Sequence, residues 1–298
     1  MASSSLARSP ASALARDAAG WPRPRWRDKW RALFLGAPQL RFATLPDRLG
    51  ALYGARPALL LEEPLAAPWH AEARVGHADL ARLSAAAARG LASLGVQPGE
   101  RVGLLTRNRV EVVFAEFAAA RLGAVVVPFN ALLRADELRA LAADCALRTL
   151  VLDRELFEET FGGSRAALPS VERWITVGRG EPPPGALSLD ALLATGGPDV
   201  APHPRRAEEL AAIFYTSGTT GRPKGAMLSD GALMFAVRQQ ARLAGWLPSR
   251  RDDLALLVMP LAHTSGHQAL LLQLVMGTPI LLHARFSAGR VLEAIERH

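Results

Sequence analysis

From His77 onward the apolar residues follow two rhythms in turn. Leu80, Leu83, Ala87, Leu91 and Leu94 fall on one helical face, Gly95 can close that helix, and Pro98-Gly99 turns the chain into a strand over Arg101 to Thr106. Val110, Val113, Phe114 and Phe117 predict a second helix ending at Gly123, followed by the β-branched run Ala124 to Pro128. The unit repeats with a helix over Ala135 to Asp144 and a strand over Thr149 to Leu152. Between Gly178 and Arg206 the periodicity fails, and Pro182-Pro-Pro-Gly185, Gly196-Gly-Pro198 and Pro202-His-Pro204 mark an irregular connection. The rhythm resumes with a strand over Ala211 to Tyr215, a glycine-rich loop, a strand over Ala226 to Leu228, and a helix capped by Ser229 or Asp230. Strands over Leu254 to Met259 and Thr278 to Leu282 flank a helix over Gln268 to Met276, and a last helix starts at Ser287. Such alternating βα units predict an α/β fold with mainly parallel sheets sandwiched by helices. The expected organisation is an N-terminal tail over 1–41, an α/β subdomain over 42–177, the Pro/Gly-rich connection 178–206, and a second α/β subdomain over 207–298 that is truncated.

Composition changes this picture little. With 50% hydrophobic residues the chain can bury a full core. A net charge of +7 raises the question of nucleic acid, but the arginines are dispersed and interleaved with Asp and Glu, so a solvated surface is expected and no nucleic-acid partner. The single cysteine, Cys145, excludes an internal disulfide and reads as a packing residue, in keeping with a reducing, cytoplasmic setting. The longest apolar run, Ala269 to Leu282, is interrupted by Gln273, Gly277 and Pro279 and is too short to span a bilayer. The Ser/Ala-rich N-terminus resembles a weak transit peptide and is expected to be a disordered tail. After it, Trp26, Trp30 and Phe34 share one face of a basic helix, which could touch a membrane surface; docking on the protein's own body is the favoured reading. Nothing fixes an oligomeric state.

The chemistry concentrates in Tyr215-Thr-Ser-Gly-Thr-Thr-Gly-Arg-Pro-Lys-Gly225, directly after an apolar strand. Gly218, Gly221 and Gly225 let the backbone turn and bring N–H groups close to phosphate oxygens. Thr216, Ser217, Thr219 and Thr220 add neutral donors, and Lys224 supplies a mobile point charge for β and γ phosphates. Lys29 and Lys224 are the only lysines among 35 basic residues, so a lysine here stands out against an arginine background. Two other phosphate loops are excluded. A Walker A loop needs Gly-Lys-Ser/Thr, whereas Lys224 stands between Pro223 and Gly225; a dinucleotide loop opens directly into a helix, which Pro223 and the following strand oppose. His263 and His267 lie four apart, but Thr264 replaces the glutamate of a zinc-protease motif and Gly266 weakens a helix there, so zinc is rejected.

From Ile213 to Lys224 the sequence resembles the phosphate-binding signature of the adenylate-forming superfamily: acyl-CoA synthetases, peptide-synthetase adenylation domains and beetle luciferases. Gly99 to Leu105, Leu122 to Pro128 and Pro260-Leu-Ala-His-Thr-Ser-Gly266 are similar to further parts of that family, the last to the segment lining its acid pocket. The resemblance implies ATP-dependent activation of a carboxylic acid through an acyl-adenylate, then thioester formation with coenzyme A. A fatty or other apolar acid is expected from the Leu-rich segment after His263. It implies that Thr216, Ser217, Gly218, Thr219, Thr220, Gly221 and Lys224 bind the nucleotide, that Lys224, Thr219 and His263 act in the reaction, and that Mg²⁺ is held by residues outside this chain. Asp230 stands where many members have histidine. The family's later elements, including its adenine motif and C-terminal lysine, are not found before His298, so a partial enzyme is expected. The alternatives are a noncatalytic nucleotide-binding fragment and a peptide-synthetase adenylation module.

Overall fold

The computed structural model describes residues 40–61, 73–216, 223–244 and 253–298. The aromatic helix expected around Trp26, Trp30 and Phe34 lies outside the described residues, as do Ser217 to Arg222 of the glycine-rich loop.

A short 3-10 turn, Phe42–Thr44, leads into α1 (Leu45–Tyr53), where Pro46 sits in the first turn and withdraws no helical hydrogen bond. Strands β1 (Pro57–Leu61) and β2 (Arg74–Gly76) and helix α2 (His77–Ser93) follow. The repeat expected from the sequence then appears as β3 (Arg101–Leu105), α3 (Val110–Arg121), β4 (Val125–Phe129), α4 (Ala135–Asp144) and β5 (Thr149–Asp153). Helix α5 (Arg154–Phe161) and β6 (Arg173–Val177) extend it by one unit. The aperiodic stretch 178–206 holds β7 (Leu187–Ser188) and α6 (Leu189–Leu193), the latter capped by the Ser188 hydroxyl, which accepts from the Ala191 N–H at 3.1 Å. The remainder comprises β8 (Leu210–Thr216), β9 (Lys224–Ser229), α7 (Asp230–Ala244), β10 (Ala255–Leu257), α8 (Thr264–Met276), β11 (Ile280–Leu282) and α9 (Ala288–Arg297).

The strands form two sheets. One has the order β7-β6-β5-β3-β4-β8-β9 and is parallel except for the β8–β9 hairpin; the other has the order β10-β11-β1-β2 and is parallel except for β2. Strand β8 pairs with β4 and β7 with β6, so the larger sheet runs through both 42–177 and 207–298 as well as the connection between them. Helix α3 is buried along nearly its whole length and α8 along much of its own, including Leu270, Leu271 and Leu274; both contribute to one core with α2, β1 and β11. A second core, with Phe129, Phe157, Phe161 and Trp174, covers the other face of the larger sheet and takes in Cys145. Burial pushes the Cys145 thiol above its ordinary pKa, in keeping with packing rather than reactivity.

Candidate functional site

The carboxyl ends of β4 and β8 lie side by side, because Val126 pairs with Ala212 in parallel register. In sheets of this kind such ends are where ligands bind. Strand β8 ends at Thr216 and β9 begins at Lys224, and these two residues face each other across the hairpin, so the intervening loop leaves and returns at one point. The Thr216 hydroxyl donates to the Lys224 carbonyl at 3.4 Å, while both residues are exposed. Among the described residues no carboxylate pairs with the Lys224 ammonium, so its charge is free for an incoming anion.

The root of the loop is braced. The Tyr215 ring stacks on Phe129 at 6.1 Å, and its hydroxyl donates to Asp144 at 2.5 Å from the end of α4. Burial, helped by the Asp144 carboxylate, pushes the phenol above its ordinary pKa, so Tyr215 is a fixed neutral donor. Gly225 differs from its expected role as a turn residue. It sits within β9 opposite Tyr215, where a Cβ would come within 2.8 Å of the Ile213 side chain and 3.3 Å of the Tyr215 ring. Its lack of a side chain leaves room for the brace.

The residue after Phe129 reaches the other half of the site. Asn130 Nδ2 lies 3.4 Å from His263 Nε2, and Asn130 Oδ1 accepts from the Leu132 N–H at 3.0 Å. His263 is exposed and occupies the N-cap of α8 in an extended conformation. The segment before it is held by Asn108, between β3 and α3. Buried Nδ2 donates to the carbonyls of Met259 at 3.0 Å and His283 at 3.1 Å, and Oδ1 accepts from the Leu261 N–H at 2.9 Å. One side chain thereby ties the end of β3 to the turn carrying His263 and to the end of β11.

Gly266, expected to weaken a helix, instead lies in the first turn of α8. A Cβ there would stand 2.2 Å from the Pro260 carbonyl oxygen, so glycine is what lets the helix start directly against the Pro260 turn. His267, one turn on from His263, points the other way. It is buried, its Nε2 is hydrogen-bonded to buried Glu116 of α3, and the rings of Phe42 and Phe214 stand edge-on to it at 6.0 and 5.2 Å. The two histidines therefore do not face a common point. Among the described residues no three His, Cys, Asp or Glu side chains gather as a metal site.

Of the two caps offered for α7, Ser229 is the one used: its hydroxyl accepts from the Ala232 N–H at 3.2 Å. Asp230 is fully buried. It accepts from the Phe42 N–H at 3.0 Å and lies 3.7 Å from Arg41, while burial pushes its carboxyl above the ordinary range.

Of the residues expected to act, the structure thus places Thr216 and Lys224 together and His263 across the end of β4. Ser217, Gly218, Thr219, Thr220 and Gly221 lie outside the described residues. Asn108, Asn130 and Asp144 were not singled out from the sequence. Only the position of Asn130 two residues past the strand expected over Ala124 to Pro128, at the edge where ligands bind, marks it in advance.

An exposed lysine and hydroxyl thus flank a glycine-rich loop at the carboxyl edge of a mainly parallel sheet, and an imidazole stands against Asn130 at the end of the neighbouring strand. Residues 52–298 match the AMP-binding enzyme family, and the chain belongs to it. Indoleacetate–CoA ligase of Aromatoleum aromaticum is 35% identical over 228 residues, which cover 76% of this chain and 43% of that relative. The structure of a long-chain-fatty-acid–CoA ligase from Archaeoglobus fulgidus matches with a TM-score of 0.75 at 26% identity, covering 89% of this chain and 51% of that one. O-succinylbenzoate coenzyme A synthetase from Bacillus subtilis, in complex with ATP and magnesium ion, matches with a TM-score of 0.65 at 26% identity, covering 85% and 60%. The chain spans under half the length of its curated relative.

Proposed function

We propose that this chain supplies the pyrophosphate-handling side of an acid–CoA ligase, an enzyme that joins a carboxylic acid to AMP and passes the acyl group to coenzyme A. The observation that carries this is the placement of the Thr216 hydroxyl and Lys224, the latter without a carboxylate partner among the described residues, at the end of β8, next to the end of β4 where Asn130 meets His263.

These groups fit ATP. Lys224 has no carboxylate partner among the described residues, and the braced Tyr215 holds the loop's entrance still for an anionic ligand. A carboxylate oxygen of the acid attacks the α-phosphorus while the bond from that phosphorus to its bridging oxygen breaks. The leaving pyrophosphate carries negative charge that the Lys224 ammonium would hold, and the loop sequence from Ser217 to Gly221 supplies further donors by its composition. His263 orients the acid. The thiol sulfur of coenzyme A then attacks the acyl carbon and AMP leaves. Among the described residues no set of His, Cys, Asp or Glu side chains gathers as a ligand set for Mg²⁺.

For the acid, Leu270, Leu271 and Leu274 carry no information, since all three are turned into the core. The proposal of an apolar acid rests on two of the relatives, named for indoleacetate and long-chain fatty acids, while a third is named for o-succinylbenzoate. The test is ATP–pyrophosphate exchange by the protein expressed from its intact gene, over a panel of fatty, aryl and polar acids. Exchange stimulated by the apolar acids and abolished by Lys224→Ala is expected. Exchange that is absent with every acid, or indifferent to Lys224→Ala, would overturn the assignment.

A further inference from the structure

We propose that Asn130 is a positioning residue that fixes the tautomer of His263, leaving Nδ1–H as the proton that the ring presents to the site.

The orientation of the Asn130 amide follows from its backbone neighbour. Oδ1 accepts from the Leu132 N–H at 3.0 Å; turned the other way, the amide would set its NH₂ group against that N–H, two donors facing each other. The Nδ2 group is therefore the one that faces His263 Nε2 at 3.4 Å. It can only donate, so in the neutral ring Nε2 must carry the lone pair and Nδ1 the proton. Asn130 can impose this because it is itself anchored. It follows buried Phe129 at the end of β4, and its carbonyl accepts from the Leu133 N–H at 3.1 Å, closing a turn.

The His263 side chain makes no capping bond to α8, so among the described residues its hydrogen-bond contact is the one to Asn130. Among the described residues Nδ1 has no protein partner, and the ring is exposed.

The consequence rests on the function proposed above: a single N–H donor directed at one oxygen of the acid's carboxylate orients it without neutralising it. The tautomer itself can be measured without any substrate.

The experiment is a long-range proton–nitrogen NMR correlation on the whole chain carrying ¹⁵N-histidine, at about pH 8, where an ordinary imidazole is neutral. Loss of a signal set in His263→Gln assigns the resonances. In the unaltered chain, Nδ1 is expected to show the protonated shift and Nε2 the unprotonated one. Asn130→Asp is nearly isosteric but accepts at both oxygens, so it should invert the pattern to Nε2–H; Asn130→Ala should release the ring toward the Nε2–H form that free histidine favours. An Nε2–H ring in the unaltered chain would overturn the proposal, as would a pattern unmoved by Asn130→Asp in a chain whose remaining spectrum shows the native fold. Binding of ATP and its dependence on Lys224 are read separately, so failure of the tautomer assignment and failure of the functional reading give different results.

Discussion

Lys224 and Gly266 show what single residues can and cannot disclose before a fold is known. Lys224 stands out in the sequence because its setting is local: it is one of two lysines, between proline and glycine at the end of a Ser/Thr/Gly run. Gly266 was misread because its reason is tertiary, a carbonyl from Pro260 standing 2.2 Å from where its Cβ would be. Gly266→Ala must therefore push α8 away from the Pro260 turn. The expected cost is about 3 kcal/mol of stability, visible as a lowered melting temperature, with displacement of His263. An unchanged melting temperature would show that the turn yields more easily than the packing suggests. Asn108, Asn130 and Asp144 stayed hidden for the same physical reason. Each acts through a partner far along the chain, Asn108 on Leu261 and His283, Asn130 on His263, and Asp144 on Tyr215.

At the scale of elements, the units with strong periodicity were readable and those shaped by pairing were not. Helix α4 and strand β5 lie where the apolar pattern puts them. Strand β1, Pro-Ala-Leu-Leu-Leu, has no β-branched or aromatic residue and is made a strand by pairing with β11, more than two hundred residues later. Strand β7 is two residues long and exists through its neighbour β6. The end of β5 carries a further consequence. Asp153 is buried there, accepts from the Arg107 N–H at 2.9 Å, and lies 3.5 Å from Arg109. Burial outweighs these partners and pushes its pKa up to about 6. Between about pH 4 and pH 6 the folded chain holds a proton that the unfolded chain releases, so this residue makes stability fall as pH rises through that window. Above it, the penalty is complete at about 3 kcal/mol. Asp153→Asn should flatten the stability difference between pH 4.5 and 7 in urea titrations; a difference as large as in the parent chain would assign it to other groups, buried Asp230 first.

At the scale of the whole molecule, the distribution of exposed apolar side chains is uneven. Met227, Phe235 and Leu243 on β9 and α7 are 69%, 61% and 72% exposed, and Leu292 and Ile295 on α9 are 67% and 65% exposed. Large apolar side chains left exposed on one element promote association. The 298-residue chain alone is expected to self-associate with rising concentration in analytical ultracentrifugation, and a Phe235→Glu, Leu243→Glu chain to do so less. Equal behaviour of the two would place the association elsewhere. Among the described residues no helix is long and apolar enough to cross a membrane.

The central claim, that the loop between Thr216 and Lys224 holds phosphate, has a direct measurement in the titration of the 298-residue chain with ATP by calorimetry, set beside the Lys224→Ala variant. Loss of the lysine ammonium should weaken binding by about tenfold to a hundredfold. Affinity unaffected by Lys224→Ala in a folded chain would contradict it.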